Sequence, residues 1–253
     1  MITEPFINEN SLIHRLDPRV RLVFATLYSF AVAVLNQFPA LAWALFLSFL
    51  LVLLARLNFR EVGRRLAMLN TLLLFFWVAL PLTFEGEPIF SIGPISATRE
   101  GVLLSAQITL KSNAILLAFI ALVATSPLAT LGHAMNRLCV PEKIVHLLLL
   151  TYRYVFVIEQ EYQRLIRAAK IRGFCPKTDI HTYRTYAYLI GMLFVRASAR
   201  AERVHQAMVC RGFKGKFYCL SEFSLTRLDV ICSAFMVAAI IGLEMLEWFV
   251  KIT

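Results

Sequence analysis

Two arginines stand at matching positions near the ends of two long, basic segments. The first segment closes on Arg172-Gly173-Phe174 and the second on Arg211-Gly212-Phe213, 39 residues further along the chain. Glycine commonly takes the left-handed conformation just past a helix, so both segments are predicted to be helices that end here. An arginine in the last turn lies where the helix dipole favours a cation, and its guanidinium suits paired hydrogen bonds with a carboxylate. The predicted chemistry is recognition of an acidic group on a partner.

A helix stop alone explains a single Arg-Gly end, but the repetition of the end weakens that explanation. When the segments are superimposed with the 39-residue offset, Arg164 also matches Arg203 and Ala168 matches Ala207. The first half of each segment is apolar, and the half that leads to its end is basic. The pattern predicts helices at about 141–173 and 181–212, each with an arginine at a rigid end.

The composition is that of a membrane protein. Of the 253 residues 59% are hydrophobic and the mean hydropathy is +0.69, against about 45–50% hydrophobic residues in soluble proteins. Residues 22–55 carry no charge, and Asn-Gln-Phe-Pro at 36–39 divides this run into two predicted membrane helices. Three further membrane helices are predicted at 66–83, 101–125 and 229–248. We predict an all-α integral membrane protein with about five transmembrane helices plus cytoplasmic helices.

The distribution of charge predicts the orientation. The net charge is +10, and residues 126–225 contribute most of it with 15 Lys or Arg against 6 Asp or Glu. Arginines also crowd residues 56–65, whereas the loop at 84–98 carries two glutamates and no base. Basic loops stay in the cytoplasm, so the N-terminus is predicted to lie inside the cell and the C-terminus outside. The predicted regions are 1–125, with four membrane helices, 126–225, with coupling helices beginning with a short one at 127–139, and 226–253, with the last membrane helix.

Several kinds of chemistry are disfavoured by the residues that they would need. The five cysteines form no CxxC pair, and the five histidines form no HExxH or similar pair, so no metal site is predicted. No phosphate-binding loop of the GxxxxGK[ST] type is present, and no paired carboxylates indicate an enzyme. Binding of nucleic acid is disfavoured too, because the aromatic residues of the basic region fit contact with the bilayer better.

Two single positions carry further predictions. Asp17 is a predicted N-cap, with Pro18 as the first residue of its helix. Lys111 lies midway along the fourth apolar segment, where an ionisable residue is a functional candidate. The alternatives are a contact with Asn113 or a neighbouring helix, or a helix that starts later.

Five stretches together resemble a known family. They are His14-Arg15-Leu16-Asp17-Pro18-Arg19, then Leu150-Thr151-Tyr152-Arg153-Tyr154 with Phe156-Val157, then Ala201-Glu202-Arg203-Val204, and the two Arg-Gly-Phe ends. Over nearly its whole length the chain resembles the transmembrane coupling subunit, or T component, of energy-coupling factor transporters. It is most similar to the CbiQ-like branch that takes up cobalt or nickel.

The resemblance implies a role for the two helix ends. In the family these ends insert into grooves on a pair of cytoplasmic ATPase subunits, which implies that role for Arg172, Gly173, Arg211 and Gly212. This chain has Ile171 and Cys210 where the family has an alanine before the arginine. The supporting residues on the same helices are implied to be Arg153, Arg164, Ala168, Phe174, Arg203, Ala207 and Phe213.

The resemblance also implies partners and a location. ATP would be bound by the ATPase dimer, and Co²⁺ or Ni²⁺ by a separate substrate-binding subunit in the membrane, so this chain itself would bind no cofactor or metal. The chain would be a multi-pass protein of the prokaryotic cytoplasmic membrane. The alternatives are a T component for a vitamin, or a secondary transporter or channel that acts alone.

Overall fold

The computed structural model describes residues 16–84, 88–92, 95–138, 140–215 and 227–252. The expectations for His14, Arg15 and residues 85–87 lie outside this part of the chain. The prediction of an all-α membrane protein is confirmed, with one small antiparallel hairpin where a loop was predicted. The helices are α1 (Pro18–Val34), α2 (Phe38–Leu54), α3 (Phe59–Thr83), α4 (Arg99–Leu122), α5 (Leu128–Arg137), α6 (Glu142–Ile171), α7 (Ile180–Cys210) and α8 (Arg227–Ile252), and the strands are β1 (Pro88–Ile92) and β2 (Ile95–Thr98).

The described residues fall into two compact units. One consists of residues 135–215 and contains α6 and α7. The other consists of residues 16–134 and 227–252 and contains α1 to α4, the hairpin and α8. The long basic helices and the apolar helices therefore belong to different units, and the predicted regions with limits at 125 and 226 stay predictions.

Side-chain caps set the beginnings of two helices. Asp17 caps α1, since its carboxylate accepts a hydrogen bond from the backbone N–H of Arg19 at 3.0 Å, as predicted. The Asn58 side chain accepts one from the backbone N–H of Arg60 at 3.3 Å, so α3 begins at Phe59. The predicted start at 66 is wrong, because hydropathy marks where a helix enters the membrane, whereas Arg and Glu continue a helix readily outside it.

The core of the larger unit lies where α1, α2 and α4 meet. Ala44 on α2 and Ala114, Ala118 and Ala121 on α4 are completely buried. Small side chains allow helix backbones to approach closely in a membrane, where burial of apolar surface does not itself drive association. The buried Tyr28 of α1 donates its hydroxyl to the carbonyl of Ala44 at 2.6 Å and so ties α1 to α2.

Three of the described helices are long and apolar enough to cross a membrane, namely Phe59–Thr83, Arg99–Leu122 and the Leu228–Trp248 part of α8. α2 is apolar but has 17 residues, and α1 has the same length. Each of these two helices is about 25 Å long, at the lower limit for a span. The predicted number of five membrane helices stays a prediction.

Buried polar groups join α1, α8 and the end of α4. Asp229 Oδ1 accepts a hydrogen bond from the backbone N–H of Asp17 at 2.8 Å. Arg21 Nη1 donates to Thr125 Oγ1 at 3.2 Å, and the carboxylates of Asp17 and Asp229 lie close enough to attract its charge. All four residues are at most 6% exposed. We call them the buried polar cluster.

At the C-terminal end of α1, Lys111 from the middle of α4 contacts this neighbouring helix, which is one of the alternatives that the sequence left open. Its Nζ donates to the carbonyl of Ala33 at 3.0 Å and to Asn36 Oδ1 at 3.2 Å. Gln107 donates to the carbonyl of Asn36 at 2.8 Å. Because Ala33 lies in the last turn of α1, the ammonium satisfies a carbonyl that the helix leaves unpaired, at the end where a cation is favoured.

At Gly101 the backbone of α4 lies close to the backbone of α3. A Cβ at this position would lie 2.7 Å from both the carbonyl oxygen of Leu80 and the Cα of Pro81, which are backbone atoms. We expect Gly101→Ala to lower the free energy of unfolding by about 1–3 kcal/mol, because the two helices must separate. Thermal unfolding in detergent measures this. Gly242→Ala is the control, since a Cβ at this position meets nothing within 4 Å. The substitution also replaces a glycine inside a helix, so the stability of the variant should be unchanged or higher.

Candidate functional site

The end of α6 is a fully hydrogen-bonded glycine cap. The N–H of Gly173 donates to the carbonyl of Lys170 at 3.0 Å, and the N–H of Phe174 donates to that of Ala169 at 3.1 Å. Gly173 has φ +87°, the left-handed conformation that glycine adopts at no steric cost. These two bonds are the pair that defines a Schellman motif, and they fix Arg172 as the last residue of the turn.

The end of α7 repeats this geometry. The N–H of Gly212 donates to the carbonyl of Val209 at 2.9 Å, the N–H of Phe213 donates to that of Met208 at 3.0 Å, and Gly212 has φ +81°. Arg211 therefore occupies the position that Arg172 has on α6. The predicted helix ends are confirmed at both positions, within two residues of the predicted limits.

The two arginines are presented to solvent. Arg172 and Arg211 are exposed, and neither guanidinium has a hydrogen bond or ion pair with another residue of the described part of the chain. Ile171 is 87% exposed and Cys210 is exposed as well. The two residues that replace the family's alanine therefore lie on the surface that a partner would touch. We call these two ends, with their arginines and glycines, the arginine tips.

The predicted supporting residues have different surroundings. The carbonyls of Ala168 and Ala207 each accept the N–H of the tip arginine at 3.3 Å. The backbone of Phe174 folds back on the last turn, whereas its ring packs edge-on against Tyr186 of α7, with centroids 5.7 Å apart. Phe213 is half-buried, and Arg153 is exposed on α6.

An ion pair that the sequence did not predict joins α6 to α7. Arg196 on α7 donates a short hydrogen bond to Glu161 on α6, and Arg164 lies 3.5 Å from the same carboxylate. The hydrogen bond from Arg196 holds the pKa of Glu161 below its ordinary value of 4.5, and the charges of Arg164 and Arg200 act in the same direction. The sequence shows Glu161 three residues before Arg164, a spacing at which two side chains on a helix can pair. It does not show the second partner, Arg196, because that residue lies on another helix.

Clefts on both sides of this ion pair reveal how the helices cross. One cleft is lined by residues 147–158 of α6 and 194–208 of α7. The other is lined by residues 165–172 of α6 and 181–196 of α7. Earlier residues of one helix thus face later residues of the other, which means that α6 and α7 cross in opposite directions. The arginine tips consequently lie on opposite sides of the crossing.

The helix rise gives the distance between the tips. Arg172 lies 11 residues beyond Glu161 and Arg211 lies 15 residues beyond Arg196, which corresponds to about 16 Å and 22 Å along the axes. The tips are therefore separated by about 28 Å for a perpendicular crossing and about 39 Å for an antiparallel one. Two separate binding sites can each receive one tip at this distance.

Spin labels on native cysteines test the crossing. Cys175 follows one tip and Cys210 lies in the other, and both are exposed. In a variant whose other cysteines are serine, we expect a label distance of about 28–39 Å, with the breadth of the labels added. Glu161→Gln should broaden the distribution, because it removes the charge that holds Arg196, and Glu159→Gln on the same helix should not. Acidification should broaden it too, since the bond is complete above pH 4.5 and is lost as the pH falls through the lowered pKa.

Metal ligands do not converge in the described residues, where no group of three or more His, Cys, Asp or Glu side chains is placed to hold an ion. Cys139 and Cys219 lie outside that part of the chain. The candidate site therefore consists of the two arginine tips and of the crossing of α6 and α7 that separates them.

Comparisons with known proteins indicate the family of the chain. The cobalt transport protein family CbiQ matches residues 9–219. The energy-coupling factor transporter transmembrane protein EcfT of Leuconostoc gelidum subsp. gasicomitatum is 29% identical over 220 residues, which cover 83% of this chain and 82% of that protein. The cobalt transport protein CbiQ of Rhodobacter capsulatus is 30% identical over 180 residues, covering 68% and 71%.

A third relative differs in size. The putative ABC transporter ATP-binding protein of Bifidobacterium longum is 27% identical over 228 residues, which cover 84% of this chain but 29% of that longer protein. The family match extends over most of the chain and includes both arginine tips. The chain therefore belongs to the CbiQ family of cobalt transport proteins, the transmembrane T components of energy-coupling factor transporters.

Proposed function

We propose that this chain couples a pair of cytoplasmic ATPases to a separate substrate-binding subunit in the membrane, as part of an importer for cobalt or nickel ions. ATP binding would draw the ATPases together and move the arginine tips. The crossed helices α6 and α7 would carry this motion to the membrane, where the substrate-binding subunit would turn and release its ion to the cytoplasm. The chain itself would be neither an enzyme nor a metal-binding protein.

The observation that carries the proposal is the repeated arginine tip. Each tip presents an exposed guanidinium on a helix end that its own hydrogen bonds hold rigid. A guanidinium is always charged and forms paired bonds with a carboxylate, which suits docking into an acidic groove. Since the tips lie about 28–39 Å apart, each would engage a different ATPase subunit.

Charge and the Bifidobacterium relative support an ATPase on the cytoplasmic side. Residues 126–225 carry 15 Lys or Arg and 6 Asp or Glu, a bias typical of cytoplasmic segments. In the Bifidobacterium relative, a segment similar to this chain forms part of a longer protein that is named an ATP-binding protein. We therefore propose an ATP-binding protein as a partner of this chain. The arginine tips would lie in the cytoplasm, and the membrane would be the prokaryotic cytoplasmic membrane.

The substrate class rests on the family description and the Rhodobacter relative, both named for cobalt transport. The relatives named EcfT are named for no particular substrate, so a T component that serves an importer of a vitamin is the second candidate. In either case the ion or vitamin is cargo held by another subunit. The proposal for cobalt or nickel and the proposal for coupling can therefore fail separately.

Copurification followed by transport tests the function. The tagged chain, isolated in mild detergent from its source, should bring with it an ATPase that has a phosphate-binding loop and a small membrane subunit. The complex in liposomes should then accumulate radioactive Co²⁺ or Ni²⁺ when ATP is supplied on the ATPase side. A chain that purifies alone and moves a solute down an ion gradient would overturn the coupling proposal, and an ATP-driven complex that ignores both metals would overturn only the choice of substrate.

Thiol labelling tests the orientation. We expect a membrane-impermeant maleimide to label Cys175 and Cys210 in inverted membrane vesicles and to leave them unlabelled in intact cells, because both thiols are exposed beside the tips. Labelling in intact cells at the same rate would place the tips outside. A permeant maleimide, which should label both preparations equally, is the control for accessibility.

A further inference from the structure

An apolar groove runs between α1 and α8 in the larger unit. Its volume is about 520 Å³, and two carboxylates, of Glu244 and Glu247, lie toward one end of it. Its rim includes the strongly exposed Phe30, at 74%, and Trp248, at 64%, whereas Ala31 and Leu35 in its lining are buried. The rest of its wall is aliphatic, from Leu27, Val34 and Leu35 on α1 and Val237, Ile240 and Ile241 on α8.

The groove covers the depth of one leaflet. Taking Asp229 of the buried polar cluster as the level of one membrane boundary, Val237 lies about 12 Å and Trp248 about 28 Å further along α8. The hydrocarbon core is about 30 Å thick, so this stretch corresponds to the leaflet at the far side. The carboxylate of Glu247 then lies close to the headgroups of that leaflet, and the aliphatic part lies among its acyl chains.

One of the two carboxylates is held in position. Glu247 Oε1 accepts a hydrogen bond from the backbone N–H of Asn36 at 3.1 Å. Asn36 is fixed in turn by Lys111, which donates to its side chain, and by Gln107, which donates to its carbonyl. Glu247 retains acceptor capacity, since a carboxylate has about four lone-pair positions, and Glu244 lies one turn before it on the same helix.

We propose that this groove binds a phospholipid with a primary amine headgroup, phosphatidylethanolamine. Its acyl chain lies along the aliphatic wall, and its ammonium donates hydrogen bonds to Glu244 and Glu247. A choline headgroup carries the same charge but has no N–H to donate, so the carboxylates distinguish the two lipids. A helix of a partner protein fits less well, because it would extend through both leaflets, whereas the groove ends near the middle of the membrane.

Fluorescence quenching of Trp248 tests the proposal without any partner subunit. The full chain with Trp43→Phe and Trp77→Phe keeps Trp248 as its one tryptophan. In phosphatidylcholine bilayers, a small fraction of phosphatidylethanolamine with brominated acyl chains should quench Trp248 about tenfold more effectively than the same fraction of brominated phosphatidylcholine, the factor expected for hydrogen bonds to a charged group. Equal quenching by the two lipids overturns the proposal.

Two variants separate the headgroup from the groove. Glu244→Gln with Glu247→Gln should remove the preference for the amine lipid and leave quenching by phosphatidylcholine unchanged. Val237→Phe should narrow the groove and reduce quenching by both brominated lipids. Glu159→Gln with Glu202→Gln, which removes two carboxylates from α6 and α7, should keep the full preference. A preference that survives the loss of Glu244 and Glu247 contradicts the assignment, provided that the variant elutes as the folded protein does.

Discussion

We expect the double variant Arg172→Ala with Arg211→Ala to lose association with the proposed ATPases and to stay inserted in the membrane. Each arginine would contribute a charge-assisted, paired hydrogen bond, and such bonds contribute about 1.5–3 kcal/mol. Loss of one tip should therefore weaken association about 10- to 150-fold, and loss of both should abolish capture at micromolar concentrations. The fold should persist, because both side chains are exposed and make no hydrogen bond or ion pair with the described residues.

The matched control is Lys170→Ala with Lys214→Ala. It removes the same amount of positive charge next to the same tips and leaves the arginines in place. Association measured by detergent pull-down and by ATP-driven uptake should change little in this control. If both double variants lose the ATPases equally, attraction by charge alone explains the association, and docking of the tips does not. Wild-type association by the arginine variant contradicts the role of the tips outright.

Asp229→Ala lowers the free energy of unfolding by about 3–5 kcal/mol, since it breaks the buried polar cluster. The substitution leaves the backbone N–H of Asp17 without its acceptor and removes a negative charge near the buried guanidinium of Arg21. This hydrogen bond joins the start of α1 to the start of α8, which are 212 residues apart in the chain, so its loss also loosens α8 from α1. Denaturant titration in detergent, with tryptophan fluorescence as the signal, measures the change.

Asp229→Asn separates the hydrogen bond from the charge. The amide oxygen can still accept the N–H of Asp17, so a loss clearly smaller than that of Asp229→Ala is expected. Asp179→Asn, at the exposed start of α7, is the control for the loss of a carboxylate and should shift stability by less than about 0.5 kcal/mol. Equal stability of Asp229→Ala and the wild type would mean that the cluster does not hold α8.

The features that the sequence predicted best are those that depend on a few neighbouring residues. An Arg-Gly-Phe end forms its two hydrogen bonds within six residues of the chain, so both Schellman motifs were predictable from local chemistry. The cap at Asp17 is local in the same way. The long helices were predictable from an apolar first half and a basic second half that ends at Arg-Gly, a pattern that requires no knowledge of the tertiary packing.

The features that the sequence did not predict join residues that are far apart. Glu161 and Arg196 are separated by 35 residues, and the partners of Lys111 precede it by at least 75. The start of α3 was misplaced for another reason, because its first turns contain Arg60, Arg64 and Arg65, which leave the membrane without ending the helix. Hydropathy therefore misplaced the start of this helix.

The unequal lengths of the helices determine how the bilayer meets this protein. α1 and α2 are about 25 Å long, whereas α3 and α4, with 25 and 24 residues, reach about 36–37 Å. A hydrocarbon core of about 30 Å is thus thicker than α1 and α2, whereas the apolar part of α3, residues 66–83, is about 27 Å long and the basic first turns of α3 lie outside the core. Lipids adapt to such a hydrophobic mismatch by thinning beside short helices, while long helices tilt. Where α1 and α2 cross the membrane, we therefore expect the bilayer to be thinner beside them, with its headgroups displaced toward the ends of these two helices.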